Sequence, residues 1–296
     1  MSSIRILADR VANQIAAGEV VERPASVVKE LLENSLDAGA KRIEVEFRNG
    51  GKSYIRVEDD GHGMSQDQAL LSLERHATSK IREAGDLTKV KTFGFRGEAL
   101  PSIASVSRFT MRTRSSSEKE GCEIFVNGGK MIHVKDCGMP PGTRIEVAHL
   151  FNSVPGRRKF LKTVVTESTH LMHLAKLYAL AHPQISFSLR EISSSGSNKS
   201  IANYKSISSK NEHSNDILVN DLNKYSFRVS QVLGSDIFQN LLPIVLSNED
   251  LLIEGFISLP TFSRSTLAHQ YFFVNGRPVW DKNLTSAIRV GYSDFI

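Results

Sequence analysis

The stretch Ser26-Val-Val-Lys-Glu-Leu-Leu-Glu-Asn-Ser-Leu-Asp37 constrains the fold more than any other. Val27, Leu31 and Leu32 recur at helical spacing, so one face of this helix must be buried. Pro24 suits its first turn and Gly39 its stop. The other face carries acids and an amide, with Glu30 and Asn34 four apart and Glu33 and Asp37 likewise. Glu30 has the chemistry to position and deprotonate a water. Asn34 offers a carbonyl oxygen to a hard cation. The same spacing also fits an ordinary solvated helix face, and spacing alone does not choose between them.

Two strands are expected next, at 42–48 and 53–58, joined by a turn at Asn49-Gly50-Gly51. Asp59-Asp60-Gly61-His62-Gly63-Met64 then breaks the alternation. A carboxylate that ends a strand before two glycines could accept a hydrogen bond from an adenine amino group. A simple acidic turn is the alternative. His76-Ala77-Thr78-Ser79-Lys80 and Phe93-Gly94-Phe95-Arg96-Gly97-Glu98-Ala99-Leu100 bracket a polar stretch. Backbone N–H groups at a helix start behind those glycines could cradle phosphate oxygens, with Lys80 and Arg96 adding charge. Neither the GxxxxGK[ST] nor the GxGxxG string occurs, so this is no P-loop or dinucleotide fingerprint. Residues 81–93 fit a lid over nucleotide, or a plain loop between helices.

The remaining pattern is mixed. Helical spacing appears at 6–17, ended by Gly18, and at 65–80, 98–105 and 168–182. Strands are expected at 108–114, 122–126, 131–135, 143–147 and 185–190. Residues 193–216 are rich in Ser, Asn and Lys and are expected as an exposed low-complexity loop or linker. Beyond them, 225–233, 251–258 and 270–274 suggest strands of a second domain. The expected architecture is α/β, an α+β sandwich at 1–220 followed by a smaller domain at 221–296. Net charge is +5, which permits a nucleic-acid partner without requiring one. Cys122 and Cys137 match no close-spaced metal pattern and are expected as ordinary thiols. No apolar run of membrane-spanning length exists, so no membrane association is expected. The first residues carry charges inside their apolar stretch and lack a signal-type core. A cytoplasmic location is expected for a bacterial chain, with the nucleoid as its place of work, and a nuclear one for a eukaryotic chain.

In order along the chain, IAAGEVVERPASVVKELLENSLDAGA, DDGHGM, RHATSK, GFRGEAL, the Gly142-Thr143 pair, PGRRKFLK and YFFVNGRPV resemble the signature of the MutL family of DNA mismatch repair proteins. That family belongs to the GHKL ATPases, with the DNA gyrase B subunit, histidine kinases and the ninety-kilodalton heat-shock chaperone. The resemblance runs from about Ile4 to the chain end, 193–216 excepted. It implies a Bergerat-type ATP-binding domain followed by a domain like the second domain of ribosomal protein S5. It implies that Glu30 is the general base for hydrolysis of ATP, that Asn34 holds Mg²⁺, and that Asp59 binds the adenine amino group. Gly61 and Gly63 would shape the pocket, and Thr143 would support adenine. Thr78, Ser79 and Lys80 would belong to the lid, and Gly94, Phe95, Arg96 and Gly97 to the phosphate-binding segment. Arg157 to Lys162 is expected in packing or a domain interface rather than in chemistry.

The resemblance further implies ATP-driven dimerisation, with a second copy or a paralogue, into a clamp on DNA. A mismatch recognition protein of the MutS type would be a partner, and Arg277 is the candidate DNA contact. The chain departs from the family pattern in lacking an Asn-Val-His-Pro-x-Lys motif, whose lysine would reach the γ-phosphate, so the second domain is expected to be incomplete. Two alternatives stand beside this one: a nucleotide-gated interaction module without hydrolysis, and another GHKL enzyme such as a topoisomerase ATPase subunit.

Overall fold

The computed structural model describes residues 9–80, 85, 92–94, 96–193, 198–206, 217–249, 251–263 and 266–295. The expectations for Phe95 and for most of 81–93 lie outside the described residues. Two compact units form: Met1–Leu174 with Phe187–Asn203, and Ala175–Ser186 with Tyr204–Ile296.

The first unit begins with helices α1 (Asp9–Val20) and α2 (Pro24–Asp37). Helix α1 continues through Gly18, where a stop was expected. Ala17 and Val21 are fully buried, and Val21 N donates to Ala17 O at 2.9 Å. Packing on both sides of Gly18 outweighs its helix penalty of about 1 kcal/mol. Strands β1 (Arg42–Arg48) and β2 (Tyr54–Asp59) follow, then the short helices α3 (Gln66–Leu71) and α4 (Ala99–Ser105). Ser65 and Gln68 form a reciprocal capping box that starts α3. The helical pattern expected over 65–80 stops at Leu71: Ser72 Oγ donates back to Ala69 O at 2.7 Å, and His76 is left-handed at φ 62°. Strands β3 (Arg108–Arg114), β4 (Gly121–Asn127), β5 (Lys130–Cys137) and β6 (Gly142–Ala148), the single turn α5 (Pro155–Arg158), helix α6 (Val164–Ala181), whose residues from Ala175 on belong to the second unit, and strands β7 (Ser186–Ile192) and β8 (Asn198–Tyr204) follow. Strand β8 lies inside the stretch expected as a linker. It forms the sheet edge beside β7, and its Tyr204 is buried.

One eight-stranded sheet results, in the order β5-β4-β3-β6-β2-β1-β7-β8. Ile43, Val45, Phe47, Ile55, Val57, Phe109, Met111, Ile124 and Val147 are buried, as are Val27, Val28, Leu31 and Leu32 of α2 and Ile103 of α4. Full burial of each such side chain contributes roughly 1.5–3 kcal/mol. The intervening strand positions carry a charge ladder. Arg56 reaches Glu46 at 3.1 Å, Arg144 forks onto Glu58 at 2.9 and 2.8 Å, and Arg112 joins Glu123 at 2.5 Å and Glu146 at 3.0 Å. Lys135, His133 and Arg112 together hold the Glu123 carboxyl down at about 2. Such alternation fits an antiparallel sheet with one covered face.

The second unit contains α7 (Ile217–Leu233), α8 (Ser235–Phe238), the hairpins β9 (Leu241–Ser247) with β10 (Leu252–Ser258) and β11 (Phe272–Val274) with β12 (Arg277–Val279), and α9 (Lys282–Gly291). Residues 225–233, expected as a strand, belong to α7. Tyr225, Val229 and Val232 recur every three or four residues, and Val229 and Val232 are buried. That period outweighs the aromatic and β-branched content that suggested a strand. Asn275 and Gly276 both have positive φ, 50° and 76°, and form the two-residue hairpin turn before Arg277.

Arg228 is the largest fully buried side chain. Its guanidinium donates to four carbonyls, Ala179 O at 2.9 Å, Pro183 O at 3.1 Å, Ile185 O at 2.7 Å and Lys205 O at 3.3 Å. The Ala179 carbonyl ends α6, where a cation also meets the negative end of the helix dipole. Replacing Arg228 by Leu strands these carbonyls in a buried site, so unfolding in urea is expected to show a loss on the order of 3 kcal/mol. Arg228→Lys, with fewer donors, is expected to lose less than Leu. Equal stability of the Leu variant and the parent chain refutes the assignment.

Candidate nucleotide site on the second helix

Strand register sets one end of the site. Asp59 on β2 pairs with Thr143 on β6, and Thr143 pairs with Thr113 on β3. Directly paired residues share a face, so a carboxylate and two hydroxyls stand in a row at one end of three adjacent strands. Thr113 Oγ1 lies 3.0 Å from Thr143 Oγ1, contacts Gly142 O at 3.1 Å and accepts from Met64 N at 3.0 Å. Asp59 Oδ2 accepts from Ser35 Oγ at 2.8 Å, and its Oδ1 from Gly61 N at 2.9 Å. Burial pushes the Asp59 carboxyl up, opposed by those hydrogen bonds and by the Thr143 backbone. Its neighbour Asp60 is spent differently: exposed, it accepts from Lys41 N and Arg42 N at 2.7 and 2.8 Å and ties down the start of β1. The adjacent carboxylates therefore divide into an inward acceptor and an outward turn anchor.

Glycines permit this closeness. Gly63 has φ 63°, and a Cβ there would sit 1.9 Å from Arg114 O. Gly142 has φ 131°, and a Cβ there would sit 2.2 Å from Asp59 O. Neither position admits a side chain without moving backbone.

The other end of the site is built on α2. Glu30 is largely buried, and burial pushes its carboxyl up. Lys29 opposes this most strongly, at 3.4 Å, and the Lys80 charge does so more weakly. A carboxylate raised from its usual range is a stronger base. Asn34 Oδ1 accepts from Lys80 Nζ at 3.2 Å, and Lys80 Nζ also donates to Asp37 Oδ2 at 2.5 Å. Gly94 lies against the same ammonium, 3.2 Å from where its Cβ would be. Thr78 Oγ1 accepts from Lys80 N at 3.2 Å and fixes the backbone there. Ser79 and Arg96 are exposed. Gly97, at φ 63°, packs on the Ala77 backbone. Glu30, Asn34, Lys80 and Gly94 thus converge at one end, and Asp59, Gly61, Gly63 and Thr143 at the other. Asn34 and Ser35, consecutive on α2, join the two.

Ser35 and Thr113 escaped the sequence, where Asp37 stands only as a helix-face neighbour of Glu33, with no role at the site. Ser35 sits four residues after buried Leu31 and is itself buried, so its phase on the helix was the available signal. Thr113 lies in an unremarkable strand, and only register reveals it. Arg157 packs its guanidinium 4.4 Å over the Phe151 ring and donates to Val21 O, in the packing role expected of its stretch.

Among the described residues no cluster of three or more His, Cys, Asp or Glu is placed to hold a metal ion. Asn34 nevertheless fits a magnesium nucleotide, because Mg²⁺ held by phosphates needs few protein oxygens. Its Oδ1 already faces a cation, the Lys80 ammonium.

Residues 22–149 match the family described as histidine kinase-, DNA gyrase B- and HSP90-like ATPase, and residues 229–296 match DNA mismatch repair protein, C-terminal domain. DNA mismatch repair protein MutL of Opitutus terrae is 51% identical over 300 residues, and that of Pseudomonas putida strain GB-1 is 47% identical over 296. Each alignment covers 100% of this chain and 44% of the relative. The chain therefore spans under half the length of these curated relatives. A solved structure described as the Aquifex aeolicus MutL ATPase domain complexed with ADP has 33% identity and a TM-score of 0.67, and covers 92% of this chain and 88% of that one. Another, an N-terminal domain of a DNA repair protein, has 25% identity and a TM-score of 0.77, covering 96% and 82%. With a GHKL-type ATPase fold followed by the S5-like mismatch repair domain, the chain belongs to the MutL family of DNA mismatch repair proteins.

Proposed function

We propose that this chain binds ATP at the α2 site and hydrolyses it slowly to ADP and phosphate. The observation that carries this is one helix joining a half-buried carboxylate acceptor to a basic carboxylate and a cation-facing amide. Asp59 is the acceptor for the adenine amino group, with Thr143 beside it. Glu30 takes a proton from the attacking water. Asn34 would hold Mg²⁺ through its side-chain oxygen, and the ion would supply positive charge to the phosphates. Lys80, with its backbone fixed by Thr78, supplies charge at the phosphates, and Gly94 lets the chain pass close to them. Ser79 belongs with Thr78 and Lys80 to the lid, Arg96 and Gly97 belong with Gly94 to the phosphate-binding segment, and Gly61 and Gly63 shape the pocket beside the adenine.

For the longer protein, nucleotide-driven pairing of two such regions, as a homodimer or with a paralogue, closes a clamp on DNA. That clamp couples mismatch recognition by a MutS-type partner to later repair. The relatives are bacterial, which supports a cytoplasmic location. Among the described residues no helix is long and apolar enough to cross a membrane.

Glu30→Ala is expected to bind ATP as the parent does and to hydrolyse it about 10²–10⁴-fold more slowly. Single-turnover hydrolysis beside calorimetric affinity separates the two, and a rate equal to the parent's refutes the base. Because burial raises the Glu30 pKa, activity should fall on acidification at a higher pH than an exposed glutamate would give.

Asp59→Asn can turn an amide donor toward the adenine amino group, and is expected to weaken ATP binding by about 1–3 kcal/mol. Protonation has the same effect. The folded-state pKa of Asp59 is raised, so affinity in the parent should decline as pH falls through that raised value, and the Asn variant should lose this dependence. Identical pH profiles for the two proteins argue against Asp59 as the acceptor.

Duplex DNA is expected to bind weakly, without sequence preference and less tightly as salt rises. Each neutralised phosphate adds about −0.9 to the log–log salt slope. Arg277 is exposed directly after the Asn275-Gly276 turn. Arg264, a further basic residue of this half, lies outside the described residues. Titrations of parent and Arg277→Glu at several salt concentrations, with and without an ATP analogue, should show weaker binding and a shallower slope for the variant. Superimposable curves remove Arg277 from the DNA surface.

A further inference from the structure

Asp37 is the last residue of α2, where a negative charge meets the negative end of the helix dipole. The position is unfavourable for an acid, and its side chain is only 8% exposed. Three donors converge on it. Lys80 Nζ approaches Oδ2 at 2.5 Å, Phe93 N donates to Oδ1 at 2.9 Å, and Gly94 N donates to Oδ2 at 3.2 Å. One carboxylate thus fastens two chain positions far apart in sequence to the end of the helix that carries Glu30 and Asn34.

We propose that Asp37 is a positioning residue of the nucleotide site, which holds Lys80 beside Asn34 and fixes the Phe93–Gly94 backbone against the same ammonium; this rests on the nucleotide function proposed above. Two consequences follow from the hydrogen-bond count. Phe93 N–H and Gly94 N–H are spent on Asp37, so phosphate oxygens must be met by Lys80 and by amides further along the chain. Lys80 has three N–H donors, of which Asp37 and Asn34 take two, leaving one to point at an anion. Donors held in place before the ligand arrives need no reorganisation when it binds.

The role is distinguishable from plain stabilisation by local readouts that a uniform change in stability does not move. Removing the acid relieves the helix dipole but leaves the Phe93 and Gly94 amides and the Lys80 ammonium without this carboxylate, so Asp37→Ala is expected to lose its hold on the site. Without nucleotide, amide hydrogen exchange at Phe93 and Gly94 should rise about 10- to 100-fold, the equivalent of losing charge-assisted hydrogen bonds. Lys80 should react faster with an amine-acylating reagent. Affinity for a non-hydrolysable ATP analogue with Mg²⁺ should fall at least about tenfold. Asp37→Asn keeps an acceptor oxygen and the shape of the side chain, so it should retain part of the Phe93 protection yet expose Lys80 as the alanine variant does. It also serves should the alanine variant fail to fold. Parent-like analogue affinity in both variants overturns the proposal, as does lost affinity with unchanged exchange and acylation. A parent chain that binds no analogue overturns the nucleotide function itself, and is told apart from a failure of Asp37 alone, in which parent and variants bind equally well.

Discussion

A carboxylate half-buried at the end of a central strand is costly unless donors surround it, and the geometry of the strand end follows from how Asp59 is satisfied. Ser35 comes from α2, Gly61 from the turn after β2, and the Thr143 backbone from β6. Those bonds tie the helix to the strand end at one fixed point. They also demand the close approach that Gly63 and Gly142 allow, since a side chain at either would strike backbone of a neighbouring strand. Moving α2 by one residue toward Leu36 would leave the carboxylate without its helix donor, because leucine has none.

The same helix does two jobs with alternate faces. Val27, Val28, Leu31 and Leu32 are buried and supply packing, while Glu30, Asn34 and Asp37 lie on the side proposed for the chemistry. Rigidity of the site is therefore inherited from the core: a helix held by several buried aliphatic side chains cannot drift relative to β2 without opening a cavity. The charge ladder at the intervening positions of the sheet contributes less to stability, since partly exposed pairs are worth about 0.2–1 kcal/mol each. Its role is to pair the charges on the intervening face of the sheet, where Glu46 and Glu123 are buried against their cationic partners.

Legibility from sequence tracked how far each element's signal was local. Strands β1 to β4 and helix α2 could be read within a residue or two, because period and turn glycines act over a few positions. Helix α7 misled, since Tyr225, Phe227, Val229 and Val232 favour strands by type and helices by spacing. Strand β8 hid in polar composition because its pairing partner, not its own residues, makes it a strand. In the site, Glu30, Asn34 and Asp59 were accessible from residue type and motif. Thr113 was not, because it reaches Thr143 only through strand register, and neither was Asp37, whose partners come from beyond Gly85 as well as before it.

Residues that break a local rule are concentrated where the chemistry is proposed. Asp37 is an acid at the wrong end of a helix. Asp59 is a half-buried carboxylate and Glu30 a glutamate, both pushed up by loss of water, and Gly63 and Gly142 occupy backbone conformations closed to side chains. Selection for stability alone would favour a basic or neutral residue in place of Asp37 and an apolar one in place of Asp59. Each exception is offset by partners drawn from a different element: α2 for β2, the Phe93–Gly94 segment for α2, β3 for β6. A site assembled this way can form only after the sheet and α2 have packed, which makes nucleotide binding a report on the folded state of the whole first unit.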